Sequence, residues 1–148
     1  MRRREFICLA AFSLVASRAQ AVGVVMTVHK DPNCGCCGAW ASAYEAAGFT
    51  VTTRNEDDMD AVKSRLKVPT SIHGCHTATV QGYYLEGHVP LEAAEKLLKE
   101  RPPIAGLAVA GMPRGSLGMG DDPGASYDVM AVPRDGGQPF VYVEIRPK

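Results

Sequence analysis

Three cysteines fall within four residues, Cys34-Gly35-Cys36-Cys37, where an apolar β-branched run ends and a helical pattern begins. A fourth follows at Cys75-His76. Thiolates gathered at one point have few uses: they bind a soft metal, exchange disulfides or staple the fold. A shared soft-ion pocket requires a fold that carries Cys75 to the head of that helix, within about 10 Å of the triplet.

The flanking pattern says which fold could do so. Val24 to His29 reads as a buried strand, broken by Asp31-Pro32-Asn33. Ala39, Trp40, Ala43, Tyr44 and Ala47 recur at helical spacing, with Gly48 placed to cap the helix. Phe49 to Arg54 is a second strand. Asp57-Asp58 opens a second helix carrying Met59, Val62 and Leu66, and Val68-Pro69-Thr70 ends it. Ala78–Val80 and Tyr83–Glu86 form a hairpin across Gln81-Gly82. Pro90 starts a third helix that runs to about Glu100, before Pro102-Pro103. This order predicts an α/β fold with a thioredoxin-like sheet flanked by helices, Cys34 and Cys37 at the first helix N-terminus, and Pro69 as the facing proline, often cis in such folds. Gly106 to Gly124 reads as an ordered Met/Gly/Pro-rich loop. Tyr127–Val132 and Phe140–Ile145 read as a closing β-hairpin.

The N-terminus carries the marks of an export signal. Arg2-Arg3-Arg4 is a basic n-region, Phe6 to Ala16 an apolar h-region too short to span a bilayer comfortably, and Ala19-Gln20-Ala21 a cleavage site. Arg3-Arg4-Glu5-Phe6-Ile7 resembles the twin-arginine signal, although an ordinary secretory signal fits as well. Cleavage after Ala21 discards Cys8 and leaves residues 22–148 as a single metal-binding domain with no membrane span, exported to the periplasm of a Gram-negative bacterium. The peptide removes four of 16 basic and one of 16 acidic residues, so 12 remain against 15, a net charge of −3. No basic stripe marks a nucleic-acid partner. The remainder is large enough for one core, so it does not depend on disulfides to fold.

Geometry limits the pairings. Adjacent Cα atoms lie about 3.8 Å apart, whereas a disulfide wants roughly 4.4–6.8 Å. Cys36–Cys37 is thereby disfavoured, leaving Cys34–Cys37 or a link from the cluster to Cys75. Either choice leaves two thiols that need an occupant in an oxidising compartment. At a helix N-terminus the dipole and free N–H groups favour thiolates, which serve redox and metal chemistry alike. A third adjacent sulfur would divert a dithiol exchanger's mixed disulfide. Clustered thiolates able to bridge ions suit Cu(I), singly or in a multinuclear cluster, better than a single zinc. The alternatives are a thiol–disulfide oxidoreductase using Cys34 and Cys37, a zinc site, and a disulfide-stapled binding module.

Met112 and Met119, in Gly111-Met112-Pro113-Arg114-Gly115-Ser116-Leu117-Gly118-Met119, either fill gaps in the core or approach the metal as soft ligands. His76 is the candidate imidazole ligand, against the reading of a hydrogen-bonded structural histidine. His29 suits a strand end, His73 a loop, and His88 the turn into the third helix. Trp40 reads as core packing that screens the sulfurs from water. Asp57-Asp58 and Asp121-Asp122 are a helix start and a solvated turn. There is no nucleophile elbow or phosphate loop, so the reading is a metal-binding protein rather than an enzyme.

Together these motifs resemble the CopG-like family of bacterial periplasmic proteins, catalogued as a domain of unknown function and often found with copper-resistance systems. The resemblance spans about Val25 to Val132. It rests on Cys34-Gly35-Cys36-Cys37 with Trp40, Gly48-Phe49, Val68-Pro69, Cys75-His76-Thr77-Ala78, Gly82-Tyr83, Glu86-Gly87-His88-Val89-Pro90 and Gly111-Met112-Pro113 with Gly115-Ser116 and Gly118-Met119. Leu117 and Ala110 stand where proline is usual. The resemblance implies a thioredoxin-like fold and copper held by the C-x-C-C cysteines and the Cys75-His76 pair, as a thiolate-bridged cluster able to change oxidation state. It implies a role in copper handling or resistance. The expected partners are periplasmic copper efflux or copper chaperone proteins, with the chain itself a monomer.

Overall fold

The computed structural model describes residues 23–147. The expected export signal and cleavage site lie outside the described residues. Strand β1 (Val25–Lys30) leads into helix α1 (Gly35–Ala46), β2 (Thr50–Asn55) and α2 (Met59–Arg65). A 3-10 turn at Thr70–Ile72 precedes the hairpin β3 (His76–Val80) and β4 (Tyr83–Glu86), then α3 (Leu91–Glu100). β5 (Ile104–Ala108), β6 (Tyr127–Pro133) and β7 (Phe140–Ile145) complete one mixed sheet, ordered β2-β1-β3-β4-β5-β6-β7. β1 runs parallel to β2 and antiparallel to β3, and β3 antiparallel to β4, as expected of a thioredoxin-like core. No helix among the described residues is long and apolar enough to cross a membrane.

Strand alternation divides the residues between two faces. His76, Ala78 and Val80 of β3, with Leu85 of β4, face α1 and α3, where Trp40, Tyr44, Ala93, Ala94 and Leu97 are buried in the main core. Tyr84 faces the other way, with Val68, Ile72, Ala108 and Val132. Glu86 shares that face and meets Lys63 of α2. The helix ends follow the expected chemistry: Asp58 caps α2 by accepting from the Ala61 N–H at 2.9 Å, and Pro90 stands immediately before α3.

Two expectations are corrected. Gly106 is not the start of the loop: Ile104–Ala108 is a strand paired in parallel with β4. Its small residues hide the strand pattern, yet Gly106 is needed there, because a Cβ would lie 2.2 Å from the Tyr84 carbonyl oxygen. The Met-bearing segment therefore begins only after β5. Nor does Pro69 face the cysteines. Its peptide bond is trans, and it lines a cleft with Lys67, Tyr84 and Val132. The 3-10 turn intervenes, so Cys75 takes the position directly before β3.

Candidate metal centre

α1 begins on sulfur. Cys34 is its N-cap, and Cys36 and Cys37 lie in its first turn. The turn into it is closed by the Cys34 N–H donating to the Asp31 carbonyl at 3.1 Å and by the Asn33 N–H donating to Asp31 Oδ1 at 2.7 Å. Cys34 and Cys37 form a disulfide with Cα atoms 5.5 Å apart, while Cys36 and Cys75 are free. The downstream sulfur closes the group: Cys75 Sγ is 3.6 Å from Cys37 Sγ and 3.8 Å from Cys36 Sγ, and Cys36 Sγ is 3.5 Å from Cys34 Sγ. All four sulfurs lie within 4.8 Å of one another.

Two imidazoles extend the group from Cys75. His88 Nδ1 is 2.8 Å from the Leu117 carbonyl oxygen, so that nitrogen carries the proton and donates. Its Nε2, 2.9 Å from Cys75 Sγ, therefore accepts the thiol proton. Cys75 has no second proton to give, which makes His76 Nδ1–H, 3.2 Å away, the donor to the same sulfur. His76 Nε2 is then a bare lone pair, buried with no hydrogen-bond partner. The His76 ring sits 4.4 Å from Trp40, which is itself pinned by donation to the Val89 carbonyl at 3.0 Å.

The Met loop folds over the helix head. A Cβ on Gly118, whose φ is +91°, would lie 2.9 Å from the Cys36 carbonyl oxygen and 3.0 Å from the Trp40 backbone nitrogen. The Gly111 N–H donates to the His73 carbonyl at 3.1 Å, tying the loop to the segment that carries Cys75. Met112 is 55% exposed yet brings its sulfur within 4.0 Å of Cys36 Sγ. Met119 lies in a later turn, closed by its N–H on the Ser116 carbonyl, and is partly exposed.

Burial governs the protonation states. The Cys75 thiol is pushed up to about 12, first by burial and then by neighbouring Cys36. The helix N-terminus was expected to favour thiolates, but Cys75 approaches from outside the helix. Only a bound cation would displace its proton at neutral pH. His76 is held down at about 3 by burial, then by His88 and Lys63, and burial also lowers His88. Both rings are neutral at physiological pH, the form that coordinates metal.

The structure thus gathers Cys34, Cys36, Cys37, Cys75, His76 and Met112, with Met119 further along the same loop. His88 escaped sequence reasoning as a site residue because its role depends on the α3 entry and the Met loop meeting in space. The remaining histidines keep structural roles: His29 pairs with Glu56 at 2.6 Å, and His73 Nε2 is 3.3 Å from the Val68 carbonyl oxygen. The donor set fits copper better than zinc. Once the Cys34–Cys37 bond is reduced, four thiolates suit either ion, but a thioether is a soft-metal ligand that zinc sites do not use.

Residues 72–119, from the end of the 3-10 turn through the Met loop, match the family model described as "Protein of unknown function, DUF411". The chain is 46% identical to a solved structure titled "Copper resistance protein copG- Form 1", with a TM-score of 0.77, covering 84% of this chain and 98% of that one. A second, titled "Copper resistance protein copG- Form 2", is also 46% identical, with a TM-score of 0.76 over 83% and 98% of the two chains. No curated protein matches.

Proposed function

Because this chain belongs to the CopG family of copper resistance proteins, we propose that, with the Cys34–Cys37 bond reduced, it binds Cu(I) in the periplasm as cargo through Cys34, Cys36, Cys37 and Cys75. His76 and His88 complete the inner side of the site, and Met112 and Met119 its outer approach. The observation that carries this reading is the convergence of Cys75 on the helix triplet, at 3.6 and 3.8 Å from two of its sulfurs. Thiolates so close are able to bridge more than one Cu(I). Copper efflux or copper chaperone proteins are the fitting recipients.

The Cys34–Cys37 disulfide favours a second, compatible activity. Reduced Cys34 and Cys37 each give one electron to a Cu(II) ion and release one proton to solvent, so two Cu(II) become two Cu(I) as the sulfur–sulfur bond forms. A donor dithiol reopens that bond by giving up two electrons and becoming a disulfide itself. Stapling is the weaker explanation of the bond. It closes a loop of only four residues, and loop-closure entropy assigns so short a loop about 2 kcal/mol.

Anaerobic titration of the reduced protein with Cu(I) against a strong Cu(I) chelator tests the site. Competitive binding is expected, and its absence ends the proposal. Insulin reduction that survives both Cys36→Ser and metal removal would favour plain thiol exchange instead.

A further inference from the structure

Behind the sulfurs, on the α2 face of the sheet, lies a closed polar network that the copper site does not itself use. Glu86, the last residue of β4, is fully buried. Its Oε1 accepts from Lys63 Nζ, itself buried, and from the Gly74 backbone N–H at 2.7 Å. Its Oε2 accepts from the Thr77 hydroxyl at 2.5 Å, and Lys63 also reaches Thr77 Oγ1 at 3.1 Å. A buried ion pair is a poor source of stability, because desolvation offsets its attraction and apolar residues of similar size do as well. Such a pair earns its place through what it orders.

Among the described residues Gly74 is the only main-chain donor to this carboxylate, and it immediately precedes Cys75. That cysteine belongs to no helix or strand. Gly74 packs so tightly on Gly87 that a Cβ there would lie 2.4 Å from the Gly87 Cα, and a Cβ on Gly87 would lie 2.4 Å from the Val109 carbonyl oxygen. The Gly87 N–H donates to the His76 carbonyl at 2.8 Å. The three residues Glu86-Gly87-His88 therefore hold Cys75 from two sides. Glu86 grips the backbone just before it, and His88 Nε2 meets its sulfur at 2.9 Å.

We propose that Glu86 is a positioning residue, held by Lys63 and Thr77, whose grip on the Gly74 N–H sets Cys75 at bonding range of the α1 sulfurs. This rests on the reading that Cys75 shares one soft-ion pocket with the triplet. Its test does not require copper.

In the full chain carrying Cys8→Ser, Cys34→Ser and Cys37→Ser, only Cys36 and Cys75 remain. Diamide oxidises that pair to a disulfide, two thiols losing two electrons and two protons as the diazene becomes a hydrazine. The rate reports their proximity. Two backgrounds, both without the buried charges, are compared. Lys63→Met with Glu86→Gln keeps an amide oxygen for the Gly74 N–H; Lys63→Met with Glu86→Leu does not. The first is expected to close within about threefold of the parent rate, and the second at least about tenfold slower, with cooperative melting in both. Equal rates in the two backgrounds overturn the proposal. Should the Leu variant not fold, amide exchange in the unaltered chain decides. Gly74 is expected to exchange as slowly as β3, and an unprotected Gly74 amide refutes the grip. If the rate contrast holds while the unaltered protein fails to compete for Cu(I), the positioning role stands and the copper reading falls.

Discussion

Acidifying the metal-free, disulfide-intact protein is expected to leave His76 uncharged in the folded chain down to about pH 3. The ring is fully buried against Trp40, and its pKa is held at about 3 against an ordinary value of 6.5. Above pH 6.5 neither state binds the proton, and the neutral ring costs nothing. Below it the unfolded chain takes up a proton that the folded chain refuses until about pH 3. Stability therefore falls as pH drops through that window, by about 1.4 kcal/mol per unit. From about pH 7.5 to 4.5 the loss attributable to this ring is about 2.7 kcal/mol. His88, also lowered by burial, adds a loss of the same sign. Urea unfolding at a series of pH values, in the wild type and in His76→Gln, isolates the effect, since carboxylates that titrate in both cancel in the difference. The wild type is expected to lose stability more steeply than the variant below pH 6.5. Parallel profiles would refute the claim that the ring is buried in its neutral form.

Three further outcomes follow from the site. Gly118→Ala should lift the Met loop from the head of α1, lowering stability by about 1–2 kcal/mol and Cu(I) affinity by about tenfold. Gly120→Ala, at φ +83° but with nothing within 4 Å, should leave Cu(I) affinity unchanged in the same chelator competition. Cys75→Ala should weaken Cu(I) binding by at least about a hundredfold and Met112→Leu by about tenfold or less, because the thiolate joins the cluster while the thioether touches one edge of it; equal losses would contradict that division. Reducing the Cys34–Cys37 bond should lower the urea midpoint by an amount worth about 2 kcal/mol without unfolding the protein, as far-ultraviolet circular dichroism would record.

The cysteine spacing, the helix start at Asp57-Asp58, the hairpin across Gln81-Gly82 and the approach of Cys75 were all legible, because each depends on local chemistry or on a topology that local elements dictate. β5 was not. Its Ala105-Gly106 pair looks like a loop until Tyr84 is seen pressed against the glycine. His88 and Glu86 were read as ordinary loop and strand-end residues. Their meaning comes from partners far along the chain, Leu117 for one and Lys63 for the other, and no periodicity connects such positions. Pro69 failed as the facing residue because the 3-10 turn moves the next strand's first contact onward to Cys75.

The bond between Cys34 and Cys37 begins and ends on the same helical turn. Making or breaking it crosses no boundary between elements, and the sheet, the helices and the Met loop are connected identically in both states. Switching between thiol and disulfide therefore needs no rearrangement of strand order or helix connection. A metal handler built this way changes how many donors it offers while keeping their addresses.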